Sequence, residues 1–127
     1  VVVVGLDSNA RRPQDYLDQV HWLRRSLSDP EPHRFGIFHH PVFSSDAFYG
    51  LGSEGLQALW HPVLVALGVD IVFSGHAHNY ARIKRDGVTY LVVGGWGTNL
   101  YPWRPTRVAG SQLATTATCS SSGSRPG

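Results

Sequence analysis

Apolar and polar positions alternate between two periods along this chain. Val1-Val2-Val3-Val4 is a continuous β-branched run that stops at the polar stretch Gly5-Leu6-Asp7-Ser8-Asn9. Its lack of alternation predicts a buried strand in a sheet covered on both faces. Pro13 then suits the first turn of a helix. Tyr16, Val20, Leu23 and Leu27 recur at helical spacing with Leu17 beside them, so one stripe faces the sheet. Asp29-Pro30-Glu31-Pro32 ends that helix.

The next apolar run, Phe35-Gly36-Ile37-Phe38, is a short strand leading straight into His39-His40-Pro41. A glycine-bearing loop covers residues 42–52. Ser53 is placed to cap the following helix, with Glu54 in its first turn. Leu56, Leu59, Trp60, Val63, Leu64 and Leu67 form the buried side of that helix. Pro62 predicts a break near Trp60 and hence two short helices, and Gly68 stops the second. Val69 to Phe73 reads as a third strand, again ending in a histidine-bearing turn. Tyr80 to Lys84 and Val88 to Val93 read as two strands joined by a hairpin at Asp86-Gly87.

Strand, helix, strand, helices, strand and hairpin make an α/β domain, with helices on a sheet and chemistry at the loops leaving the strand C-termini. The length of 127 residues suits one such domain. Residues 1–104 carry the periodic pattern. Residues 105–127 do not, and their Ser/Thr/Gly-rich composition predicts a disordered tail. The opening on Val1, without methionine or a polar run-in, reads as a segment of something larger.

Composition narrows the function classes. Eleven Lys and Arg against nine Asp and Glu give a net charge of +2, scattered singly or in pairs, which argues against nucleic-acid specificity. Cys119 is the only cysteine, so an internal disulfide or a cysteine metal cluster is excluded. No run of eighteen apolar residues exists to span a membrane. Nothing in the sequence sets an oligomeric state.

The candidate chemistry lies in the histidines. In Gly75-His76-Ala77-His78 two imidazoles at i and i+2 face the same way only on extended backbone, where they could address two metals or flank one. Gly75 would allow the sharp turn. Imidazoles suit transition metals such as zinc, iron or manganese. Of His39 and His40, one should face this edge of the sheet and the other should face away. His21, His33 and His61 read as surface or helix-boundary residues, and Gly94-Gly95-Trp96-Gly97 as a tight structural turn. Trp96, Tyr101 and Trp103 read as packing at the end of the domain. Asp7 is either a carboxylate supporting the metal ligands or a contact within its own loop.

These stretches resemble a known family. Ile37 to Ser45, with His39-His40-Pro41, looks like the strand and His-x-Pro segment of the calcineurin-like metallophosphoesterases, in their purple acid phosphatase-like branch. Val69 to Arg82, with Gly75-His76-Ala77-His78 and Tyr80 two residues later, looks like that family's Gly-His-x-His block. Residues 87–97 resemble the strand and glycine-rich turn that come after that block. The resemblance implies a metallophosphoesterase sandwich of mixed sheets flanked by helices, here its C-terminal part with the N-terminal half missing. It implies His39 and His76 as ligands of one metal and His78 as a ligand of another, with no ligand role for His40. It further implies a centre of two di- or trivalent transition-metal ions (Fe, Zn or Mn) hydrolysing a small phosphate mono- or diester in the parent protein, and it is compatible with secretion or a periplasmic location.

The family's Asp-x-His, Gly-Asp and Asn-His blocks do not occur in this chain; its catalytic residues would lie upstream of Val1. The isolated chain is therefore expected to be inactive. The competing expectation is a non-catalytic partial domain that binds at most one metal ion. A mononuclear zinc hydrolase with an open fourth position is disfavoured because no Asp or Glu is placed as its base.

Overall fold

The computed structural model describes residues 1–45, 48, 50–95 and 99–101. The expected tail at 105–127, Cys119, Trp96 and Trp103 lie outside the described residues. The elements run β1 (Val2–Gly5), α1 (Pro13–Ser26), β2 (Arg34–Ile37), α2 (Glu54–Leu59), α3 (His61–Ala66), β3 (Ile71–Ser74), β4 (Tyr80–Arg85) and β5 (Val88–Val93). They form one five-stranded sheet ordered β1-β2-β3-β5-β4, parallel except for the antiparallel β5–β4 pair. The C-terminal ends of β1, β2, β3 and β5 therefore share one edge, and the β4–β5 turn lies at the opposite edge.

Local chemistry explains most boundaries. α1 begins at Pro13 after Arg12, whose guanidinium and backbone N–H both bond the Asp15 carboxylate. Ser53 Oγ accepts the Leu56 N–H at 3.4 Å to start α2. Pro62 divides the apolar stretch into α2 and α3, because its ring forbids an uninterrupted hydrogen-bond ladder. Asp86 (φ 47°) and Gly87 (φ 88°) supply the two left-handed residues of a tight hairpin turn. Gly52 is required where it stands: a Cβ there would lie 2.4 Å from the Val42 carbonyl, so only glycine lets the backbone pass this close to Val42 and Phe43.

The core fills one side of the sheet. Val4, Val72, Ile83, Val88 and Tyr90 point inward and meet Val20, Leu23, Leu56, Trp60 and Leu64 from the helices, with Val42 and Phe43 closing the space between. The other side departs from the sequence expectation. Strand register aligns Val3, Phe35, Ile71, Thr89 and Lys84 in one row and Gly5, Ile37, Phe73, Leu91 and Arg82 in the next, all on the face away from the core. Among the described residues no helix lies over this face, and Val3 and Ile37 are 55% and 50% exposed. The β-branched run at Val1 to Val4 predicts cover on both faces, yet every described helix packs on the same one.

Candidate metal site

β2 and β3 bring the two histidine segments together. The ladder continues past both strands, with Phe38 N–H bonded to the Phe73 carbonyl and Gly75 N–H to the His39 carbonyl at 3.0 Å. That last bond fixes the loop after β3 against the loop after β2. His39 Nε2 consequently lies 3.1 Å from His76 Nδ1. His40 completes the group, its ring 4.9 Å from that of His39 and 4.4 Å from that of His76. One ligand atom from each of His39, His40 and His76 falls within 4.8 Å of the others.

The turn that presents His76 is strained. His76 has φ 60°, a left-handed conformation disfavoured for a side chain of its size. The sequence points to Gly75 as the sharply turning residue; the left-handed one is His76 itself. Ala77 N–H and Asn79 N–H bond back to the carbonyls of Gly75 and Ala77, closing two tight turns in succession. Gly94 fits beneath them: a Cβ there would lie 2.2 Å from the Ala77 carbonyl, so only glycine lets the end of β5 pass under this loop. The tight glycine turn expected after β5 thus has a packing role at residues 94–95. Residues 96–98 lie outside the described set.

His40 is held from behind. Ser8 Oγ accepts the His40 backbone N–H at 2.8 Å and lies 3.0 Å from His40 Nδ1. Ser8 is buried, and its carbonyl accepts the Tyr16 hydroxyl from α1 at 3.1 Å. A hydroxyl can accept twice and still donate once, so Ser8 can take Nδ1–H as a second bond and leave Nε2 free as a ligand. Asp7 resolves as a contact within its own loop: its carboxylate accepts the Asn9 N–H and its backbone pairs with the Gln19 amide. A cleft of about 600 Å³ between α1 and α2, walled partly by Tyr16, Leu17, Leu56 and Leu59, reaches His40.

His78 is directed elsewhere. Its ring stacks on Tyr101 at 4.4 Å, its Nδ1 lies 3.2 Å from the Asn99 carbonyl, and its own carbonyl accepts the Tyr101 N–H. The structure thus brings together two of the three histidines singled out, His39 and His76, and adds His40. Strand alternation puts His40 on the far side from His39. β2 ends at Ile37, however, so alternation no longer governs positions 39 and 40. The usable signal is the His-His pair lying wholly beyond the strand.

His21 and His33 are exposed, as expected. His61 is the first residue of α3, the boundary position expected of it, but its side chain is tightly partnered. Its Nδ1 lies 2.6 Å from the Tyr90 hydroxyl and its Nε2 2.8 Å from the Asp86 carboxylate. Because a carboxylate only accepts, Nε2 carries the proton and Tyr90 donates to Nδ1. Burial, reinforced by the charge of Asp86, pushes the Tyr90 hydroxyl pKa well above its ordinary value and keeps that donor in place.

Comparison with known proteins shows what the chain is similar to. No family model matches the chain. Purple acid phosphatase 18 of Arabidopsis thaliana is 39% identical over 74 residues, covering 55% of this chain and 17% of that protein. A purple acid phosphatase of Glycine max is 31% identical over 85 residues, or 63% of this chain and 18% of its own length. Arabidopsis thaliana also has a relative named for its ions, Fe(3+)-Zn(2+) purple acid phosphatase 12, 31% identical over 85 residues.

Two solved structures share the fold. The anchor of the inner membrane complex of Plasmodium superposes with a TM-score of 0.73 at 19% identity, over 90% of this chain and 38% of that one. A purple acid phosphatase from yellow lupin seeds gives 0.68 at 21% identity, over 89% and 24%. The fold is a partial, mixed α/β sandwich of the metallophosphoesterase type. The chain is similar to the purple acid phosphatases and spans under a quarter of the length of the curated relatives it matches.

One expectation is overturned. The resemblance implied a dinuclear centre, but among the described residues a single group of three potential ligands exists, His39, His40 and His76, and no carboxylate joins it. Two cations held together need an anionic bridge to offset their mutual repulsion, and three neutral imidazoles supply none. The site has the composition of a one-metal site. No described helix is long and apolar enough to cross a membrane.

Proposed function

We propose that this chain is a non-catalytic partial metallophosphoesterase domain that binds one transition-metal ion through His39, His40 and His76. The observation that carries this reading is the 3.1 Å separation of His39 Nε2 and His76 Nδ1. Two imidazole nitrogens bound to one tetrahedral ion at about 2.05 Å stand about 3.3 Å apart. The ring nitrogens are thus already close to the spacing a shared ion demands. An all-imidazole, uncharged set favours borderline ions such as Zn²⁺ over a hard trivalent ion, which prefers anionic oxygen.

The reading places the chain at the C-terminal part of the family's domain, with residues 1–104 as its folded portion and 105–127 as an appended tail. The strand-loop histidine segments and their order in the chain support it. Among the described residues no carboxylate joins the three imidazoles as a base to activate water, so hydrolysis of a phosphoester by this chain is not expected.

Elemental analysis together with calorimetric titration tests the proposal. One Zn²⁺ per chain, lost in His39→Ala and His76→Ala, is the expected result. Two ions per chain, or turnover of a chromogenic phosphate monoester that the same substitutions abolish, would overturn it. His78→Ala separates the three-histidine set from a wider one: it should leave the affinity within a few-fold.

A further inference from the structure

His40 stands beyond the end of β2 at Ile37, so strand alternation does not tell its side chain which way to face. Bonds from distant segments fix its backbone instead, and they come from both sides. On the N-terminal side Ser8 Oγ takes the His40 N–H at 2.8 Å. On the C-terminal side Pro41 has no N–H to offer, and the chain is held there through its carbonyls. The Pro41 carbonyl accepts the Ser53 N–H at 3.1 Å, and the Val42 carbonyl accepts Gln57 Nε2 at 2.9 Å.

Gln57 reaches a second carbonyl as well. The same Nε2 donates to the Leu51 carbonyl at 3.0 Å. Both partners only accept, so the amide nitrogen must face them, and both of its protons are spent there. One side chain therefore joins Val42 to Leu51 across the neck of the loop between them. The Ser44 N–H, bonded to the Leu51 carbonyl at 3.1 Å, closes the same neck, and Gly52 passes so near Val42 and Phe43 that only glycine fits. The clamp has a firm footing. Leu56 within α2 and Trp60 at its end are buried in the core, so the helix presents the amide from a fixed backbone.

We propose that Gln57 is a positioning residue for the metal site. By holding the Val42 carbonyl against the neck of the loop, its amide sets the direction of His40 from the C-terminal side, as Ser8 does from the N-terminal side. The inference rests on the reading of His39, His40 and His76 as ligands of one ion. His39 is tied to the loop after β3 through its own carbonyl, which accepts the Gly75 N–H. His40 depends on Ser8 and on the turn that follows it. Without the amide the Val42 carbonyl is left a bond short, and the turn from Pro41 to Phe43 is free to shift and carry His40 with it.

Gln57→Glu keeps the shape of the side chain and removes both donors. Calorimetric titration of the full chain should show zinc bound about 10-fold more weakly, the size expected for an outer partner of a ligand. In a His40→Ala background the same substitution should change affinity less than about two-fold, because nothing remains for it to position. Equal affinity of Gln57→Glu and wild type would overturn the proposal. So would an equal loss with and without His40, which would make Gln57 a support of the fold alone. Nitrogen NMR of the imidazoles in the metal-free chain gives a readout that needs no zinc: the His40 resonances should move in Gln57→Glu while those of His61 stay in place. If the wild-type chain binds no zinc, the metal reading falls by itself and these spectra decide the positioning role, which an unmoved His40 sinks. Gln57→Met, equally without donors, carries the same measurements if the carboxylate unfolds the chain.

Discussion

The two edges of the sheet both carry histidines among polar partners, and they are wired in opposite ways. At the hairpin edge His61 is saturated: Tyr90 donates to one nitrogen and Asp86 accepts from the other. At the edge where β2 and β3 end, imidazole faces imidazole, His39 Nε2 against His76 Nδ1, with His40 alongside. A histidine whose two nitrogens meet a hydroxyl and a carboxylate is a structural joint, clamping α3 to the β4–β5 turn. Imidazole nitrogens 3.1 Å apart share a hydrogen bond when one carries the proton, and are spaced to share a cation when neither does. The residue type is the same; its partners decide the role.

The comparison breaks most sharply at His76. His76→Ala should lower Zn²⁺ affinity by about 100-fold or more, since loss of a ligand exceeds the effect of losing an outer partner. It should do so with little loss of fold. His76→Gly should lose the metal equally, yet leave the metal-free chain about 1 kcal/mol more stable than His76→Ala, because glycine accepts φ 60° without strain. Calorimetry and urea unfolding check the pair. Equal stability of the two variants would mean that the turn relaxes when the ring is removed.

At the opposite edge His61→Ala should leave metal binding untouched and cost about 2 kcal/mol of stability, because the buried Tyr90 hydroxyl loses its partner. Unfolding in urea measures it. If zinc affinity fell as well, the two edges would be coupled and the contrast between them would fail.

Ser8→Ala is a smaller and more selective lesion. It removes the hydroxyl that orients His40 and should weaken zinc binding about 10-fold, as outer partners of metal ligands commonly do. No change in affinity would remove His40 from the ligand set.

The smallest effect concerns pH. The hydrogen bond from His61, with the positive charge of Arg85 adding to it, holds the Asp86 carboxyl below its ordinary pKa. The folded chain therefore binds the Asp86 proton less readily than the unfolded chain. The stability this contributes is fully present above the ordinary carboxylate range, near pH 4, and is lost as pH falls through the depressed folded value. Asp86 is exposed, so the effect is modest. Thermal melts from pH 5 to pH 3 should show wild type losing its small advantage over Asp86→Asn, with the two curves converging at the acid end.

Much of the fold was legible in the residues because its causes are local. Pro62 splits a helix wherever it falls inside one, Ser53 caps because its oxygen reaches the third residue onward, and Asp86-Gly87 turns a hairpin because both positions tolerate positive φ. The candidate site was only half legible. His39 and His76 could be named from their places after strands, but His40 could not, since the side it faces depends on where β2 stops and on Ser8, thirty-two residues earlier. The expected two-metal centre failed for a related reason: the resemblance implied ligand positions, whereas charge balance depends on which carboxylates are actually near. His61 looked like any helix-boundary histidine until the fold placed Tyr90 and Asp86 against it.

The sequence by itself determined the strand and helix order, the turn positions and the kind of atom that would gather at one edge of the sheet. Each of these depends on period, capping or backbone preference over a few residues. The tertiary structure alone decided which imidazoles converge, which histidine is merely structural, and which face of the sheet the helices leave bare. Those outcomes depend on packing between segments far apart in the chain, where a single backbone bond such as Gly75 N–H to His39 C=O sets the register of an entire site.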